Sequence, residues 1–267
     1  MAAGINDVYS IAAATATVGS GPTFTNGGVS FGGRFGHAMA RARTPKTSDQ
    51  FILVICGYHN ALLNSALRTN NRGSTFVSSS NNVFDPSGHI YLGLISTDAF
   101  DFVAFGGSTT SDVLSNQVRK TINSGSNWMT LTCSTSLSVK WSGRRSFAFT
   151  YLPNFGAGAE GRIVIAGGWD GTTWLQDVWG SDDGGTCWHE LTADSDCAAT
   201  NGYRGASLVV VTVNSEDILV LAGGGSENAW LNTIYRSKNG GVTWELVVVT
   251  GATWSGRIEF VFVFDSS

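Results

Sequence analysis

Two segments, Arg162-Ile-Val-Ile-Ala-Gly-Gly-Trp169 and Leu175-Gln-Asp-Val-Trp-Gly-Ser-Asp-Asp-Gly-Gly-Thr-Cys-Trp188, decide how this chain folds. The first is an apolar run closed by two glycines, the length of a strand and too short for a typical helix. The second ends in Ser181-x-Asp183-x-Gly185-x-x-Trp188, which has the chemistry of a tight hairpin. The Asp side chain bonds backbone groups within the turn, Gly accepts a positive φ, and the aromatic opens the next strand.

Both signals recur. Gly-closed runs stand at 51–58 (FILVICGY), 100–107 (FDFVAFGG) and 217–224 (DILVLAGG), so the closing glycine moves through Gly57, Gly106, Gly167 and Gly223. The hairpin pattern returns with its aromatic at Phe76, Trp128 and Trp244. A further strand precedes each run and opens on a basic residue: Arg34, His89, Arg144, Arg204 and Arg257. Two of these arginines end the same tetrapeptide, Trp-Ser-Gly-Arg, at 141–144 and 254–257. The unit is therefore strand A, strand B, strand C, a hairpin and strand D. Four strands in a repeat of roughly 50 to 60 residues are the signature of a propeller blade.

Composition agrees with dense short strands. Charged residues are 13 %, with 34 Gly, 4 Pro and 9 Trp, in a chain of 267 residues. The whole length, 1–267, reads as a single all-β domain. A net charge of −4 gives no basic footprint for nucleic acid. No apolar run approaches the roughly 18 residues of a membrane span, and no leader is visible at the N-terminus. The absence of any Asn-x-Ser/Thr acceptor leans towards a cytoplasmic setting, although a bacterial or unglycosylated secreted protein fits as well. Cys187 and Cys197 are spaced to bridge a loop in an oxidising compartment; the reduced state fits equally.

The pattern resembles a divergent kelch-type β-propeller. Gly167-Gly168 and Gly223-Gly224 match the kelch glycine pair, and Trp179 and Tyr235 match its spaced aromatic. The C–D hairpins resemble the Asp box of sialidases. Arg119 and Leu67 depart from the aromatic position. At the termini, Ile5-Asn-Asp-Val-Tyr9 matches Leu175–Trp179, and the chain ends on a lone strand A. Joined, the two ends make one more blade and remove open sheet edges. The expected architecture is five four-stranded antiparallel blades, the last closed by both termini, or else a fragment of a six- or seven-bladed ring.

In a propeller, strand A is innermost and its start shares a face with the end of strand B. Arg34, His89, Arg144, Arg204 and Arg257 then surround one mouth of the channel, with Phe31, Trp141, Trp254 and Tyr203 close to them in sequence. B–C loops bring His59, Trp169 and Asp170 to the same rim. A ring of cations beside aromatics suits an anionic ligand, whereas the bland reading has each Arg satisfying carbonyls or a carboxylate of the neighbouring blade. Propellers host enzymes and scaffolds alike. The lack of a catalytic signature favours a non-catalytic kelch-like module that binds a protein or peptide, acidic ones included, with a glycan as second choice. The alternative is a carbohydrate-binding propeller or a domain related to sialidase-like glycoside hydrolases. A glycoside hydrolase needs paired carboxylates, or in sialidases a tyrosine nucleophile with an arginine cluster and an acid, and the sialidase Arg-Ile-Pro signature is missing here. The four histidines are scattered and Asp182-Asp183-Gly184 lacks the downstream acid of a calcium loop, so no metal or cofactor is expected.

Overall fold

A computed structural model describes residues 9–11, 24–26, 34–42, 51–70, 75–97, 101–109, 112–134, 140–155, 160–193, 203–213, 216–225, 229–248, 250 and 254–260. β1 (Tyr9–Ile11) and β2 (Phe24–Asn26) form a two-stranded antiparallel sheet. Blade 1 contains β3 (Ala38–Arg41) and β4 (Ile52–Ile55), then a short hairpin of β5 (Tyr58–His59) and β6 (Ala61–Leu62), then β7 (Ala66–Thr69) and β8 (Val77–Ser80). Blade 2 comprises β9 (Gly93–Ser96), β10 (Phe102–Phe105), β11 (Val118–Thr121) and β12 (Met129–Thr130). β13 (Ala148–Leu152), β14 (Arg162–Trp169), β15 (Trp174–Ser181) and β16 (His189–Thr192) make blade 3. Blade 4 is β17 (Ser207–Val213), β18 (Glu216–Ala222), β19 (Ile234–Ser237) and β20 (Glu245–Val247). Each blade is a four-stranded antiparallel sheet whose strands A to D lie in spatial order. The fold is a β-propeller.

Four such blades are shown, not the five expected. The pieces assigned to a fifth, residues 1–8 and 261–267, fall outside the described residues. What is described there is the β1–β2 pair and the stretch Trp254–Phe260, which carries no strand.

The core lies between blades. In β10, Phe102 and Ala104 join the cluster shared with blade 1, while Val103 and Phe105 join the one shared with blade 3. β14 divides in the same way, Ile163 and Ile165 to one side and Val164 and Ala166 to the other. This is why the B strands are apolar without alternation: side chains alternate in direction, and both faces of the sheet are buried.

The C–D hairpins form as their residues dictate. In blade 3, Asp183 accepts the N–H groups of Thr186 (3.0 Å) and Cys187 (2.8 Å), and Ser181 Oγ accepts that of Gly185 (2.9 Å). Trp188 Nε1 donates to the Gly185 carbonyl at 2.9 Å, closing the turn from below. Thr121, Asn123, Gly125 and Trp128 repeat this set in blade 2, and Ser237, Asn239, Gly241 and Trp244 in blade 4.

One expectation about cysteine is overturned. Cys187 is bonded to Cys133, with a Cα–Cα distance of 4.8 Å, and not to Cys197, which lies outside the described residues. The bridge joins the end of blade 2 to the C–D hairpin of blade 3, a pairing set by adjacency of blades and not by a local loop.

Candidate functional site

The strand starts converge as the repeat requires. Isolated bridges Phe35–Tyr58, Ile90–Ser108, Arg145–Trp169 and Arg204–Gly225 hold the start of each strand A beside the end of its strand B. Closer to the axis, successive strand starts are hydrogen-bonded to one another. The N–H of Tyr91 donates to Gly36 O (2.8 Å), Ser146 to Tyr91 (3.3 Å), Gly205 to Ser146 (2.7 Å) and Glu259 to Gly205 (2.7 Å). All five residues have positive φ, between 53° and 63°. Glycine accepts this freely; Tyr91, Ser146 and Glu259 hold it under strain that the inter-blade bonds offset.

These strand starts line an axial funnel of about 480 Å³. Its wall includes Phe147, Phe149, Phe260 and Met39, and its ionisable members are His37, Tyr91 and Glu259. Burial and the Arg34 charge lower the His37 pKa, against a bond to the Arg34 backbone that raises it.

The Ser-Gly-Arg motif has a definite structural basis. A Cβ on Gly143 would approach the Leu114 carbonyl oxygen of the preceding blade to 2.8 Å, and one on Gly256 would approach that of Trp230 to 2.0 Å. The backbone carbonyls of His89, Arg144 and Arg257 accept the N–H of Gly57, Gly107 and Gly224 in the blade before. The motif is therefore a seam between blades.

The side chains at the strand starts do not form the expected ring of exposed cations. Arg144 is fully buried, paired with Asp177 through bonds of 2.5 and 2.7 Å and bonded to Gly167 O at 3.0 Å. Arg34 is buried and donates to Cys56 O (3.1 Å) and Ser65 Oγ (3.2 Å). His89 is buried against Phe84, ring centroids 4.1 Å apart, and burial holds its pKa down to about 4 although the Gly106 backbone raises it. Trp141 and Tyr203 are core residues. Arg34 and Arg144 are bonded within their own blades, not across to a neighbouring one as the bland reading has it. Phe31 lies outside the described residues.

Two cations remain on the surface. Arg204 is half-buried over the Trp174 ring at 4.9 Å, and Arg257 is exposed over the Trp254 ring at 5.3 Å. Neither forms an ion pair among the described residues. Trp230 stands between them in the fold: it bridges to Gly225, which pairs with Arg204, and its carbonyl abuts Gly256. At 65 % exposure it is the largest apolar side chain open on this face. Trp169 is half-buried and stacks on Trp174 with centroids 4.1 Å apart. His59 is exposed on the β5–β6 hairpin. Two acids of this face are engaged. Asp112 pairs with Arg145, and burial of Asp170 is outweighed by bonds from the N–H and hydroxyl groups of Thr172 and Thr173, which lower its pKa.

Trp174, Trp230 and Glu259 were not singled out by sequence. Trp230 stands two residues after Asn228 in the loop between strands B and C of blade 4, and a search of every B–C loop for aromatics would have found it. Among the described residues no group of three or more His, Cys, Asp and Glu is placed to hold a metal ion.

Known proteins carry the comparison only part of the way. No curated protein matches the chain. Residues 144–250, which span blades 3 and 4, match the model of a family described as DUF6242 beta propeller domain, so the sequence is similar to a propeller over the part where the blades are most regular.

Proposed function

We propose that the protein is a non-catalytic, kelch-like interaction module that captures an acidic protein or peptide segment on the strand-start face. The observation that carries this reading is the pair of tryptophan-stacked guanidiniums, Arg204 and Arg257, flanking exposed Trp230. A planar cation on an aromatic face is held in place yet keeps its outward N–H fork for a carboxylate. Exposed Trp adds a large apolar anchor of the kind that dominates interface energies. The engagement of Asp112 and Asp170 in local bonds supports a binding role over a hydrolytic one. Trp230, and Trp169 stacked on Trp174, also offer platforms for a sugar ring, which keeps a glycan as the second reading.

A peptide-display selection with the intact chain tests this. Acid-rich sequences should be enriched, and R204A/R257A should weaken their capture at least about tenfold with an unchanged circular dichroism spectrum. R144A should instead unfold the protein. Selection of sequences without acid enrichment would overturn the reading, as would full capture by the double variant; selective binding on a glycan array would move it to the second.

A further inference from the structure

Blade 2 breaks the repeat where blades 1 and 3 bury an arginine, Arg34 and Arg144. In blade 3, Arg144 donates to the Ser142 carbonyl and hydroxyl, both at 3.2 Å, besides Gly167 and Asp177. Arg257 donates to Ser255 in the same way, at 3.2 and 3.4 Å. The corresponding residues of blade 2 are Ser87, Gly88 and His89. Ser115 bonds Gly107 as Leu63 bonds Gly57, and Leu175 pairs with Gly168; two residues onward, Gln117, Ser65 and Asp177 therefore occupy one position in three blades. His89 and Gln117 thus stand where Arg144 and Asp177 stand.

They do not fill the space. The imidazole is shorter than an arginine, and Gln117 turns its amide N–H to the Asp85 carbonyl at 2.8 Å. What is left is an open cavity of about 530 Å³, lined by Ser87, His89 and Gln117 with Leu62, Pro86 and Leu114 as apolar walls. Its polar lining residues are Ser87, Thr109, Ser115, Asn116 and Gln117 beside His89, and Ser87 and Gln117 carry acceptor oxygens. His89, only 3 % exposed, leaves Nδ1 without a partner. Its neutral ring engages the Gly106 backbone, so that Nδ1 is a further acceptor.

We infer that this vacated slot binds a guanidinium group supplied from outside, the arginine side chain of a partner or a small arginine-like amine. Residues corresponding to the acceptors of the internal Arg144 in blade 3 here line a cavity, and a planar donor-only group is the species that satisfies them. The slot is separate from Arg204 and Arg257, and the inference does not depend on their role.

The test is a titration of the isotope-labelled full chain with agmatine, an acetylated arginine peptide amide, and butylamine, followed by NMR. Agmatine or the peptide should shift the signals of Ser87, His89 and Gln117, and butylamine should bind at least about tenfold more weakly because it lacks the planar fork. A response to the peptide alone assigns the slot to a partner chain, and a response to agmatine alone assigns it to a small molecule. H89R restores the residue found at the other strand starts; it should fill the slot and weaken binding at least about tenfold. S87A, a smaller change, should weaken it severalfold and serves if H89R does not fold. No shift at these residues, equal binding of butylamine, or undiminished binding by the folded variants would overturn the inference.

Discussion

Arg144 and His89 hold one position in adjacent blades, and burial treats them differently. Asp177, Gly167 and Ser142 surround the Arg144 guanidinium with acceptors. His89 has no acid beside it, and burial lowers its pKa from 6.5 to about 4. The unfolded chain therefore takes up this proton first as pH falls. The stability due to a neutral His89 is complete above about pH 6.5 and is lost as pH drops towards 4, by about 3 kcal/mol in full. The lowered pKa of His37 acts in the same sense. Urea denaturation at pH 7.0 and 4.5 should show a smaller acid loss for His89→Phe than for the parent; equal losses would contradict the assignment. The basic strand starts were legible in the sequence, but their fate was not. The partner of Arg144 lies 33 residues away on another strand, and only the register of strand C brings it within reach.

At the scale of the element, the C–D hairpin was the most legible part of the chain, because its bonds are local. Ser or Thr, Asp or Asn, Gly and Trp each meet a group within four residues, so spacing alone specifies the turn. Replacing Asp183 by Ala leaves the Thr186 and Cys187 amides without their acceptor and should lower stability by about 1 kcal/mol. Asn, which serves at Asn123 and Asn239, should be tolerated. Urea midpoints of the two variants decide this, and a drop for Asn equal to that for Ala would argue against the carboxylate's role as turn acceptor. The cavity beside His89 shows the opposite case. It arises because two positions change together in blade 2, and each change alone reads as ordinary divergence.

For the whole molecule, repetition predicted the blades and their order, while contacts across blades stayed hidden. The Cys133–Cys187 bridge is such a contact. It closes a sequence separation of 54 residues, and a bond of this span constrains the unfolded chain by about 4 kcal/mol in the loop-entropy account. Cys133→Ser, or reduction with dithiothreitol, should lower the thermal midpoint by several degrees, and reductant should then have no further effect on the variant. An unchanged midpoint in Cys133→Ser would show that the bridge contributes nothing to stability.

The four amide links from Gly36 to Glu259 have an electrostatic consequence. Their dipoles run head to tail along an arc about the axis, so none is aimed down the funnel, unlike the converging N–H groups at a helix start. The main chain therefore lends that opening little sign of its own. Its sign is left to the side chains of its wall, among them the Glu259 carboxylate and the His37 imidazole, whose pKa burial lowers.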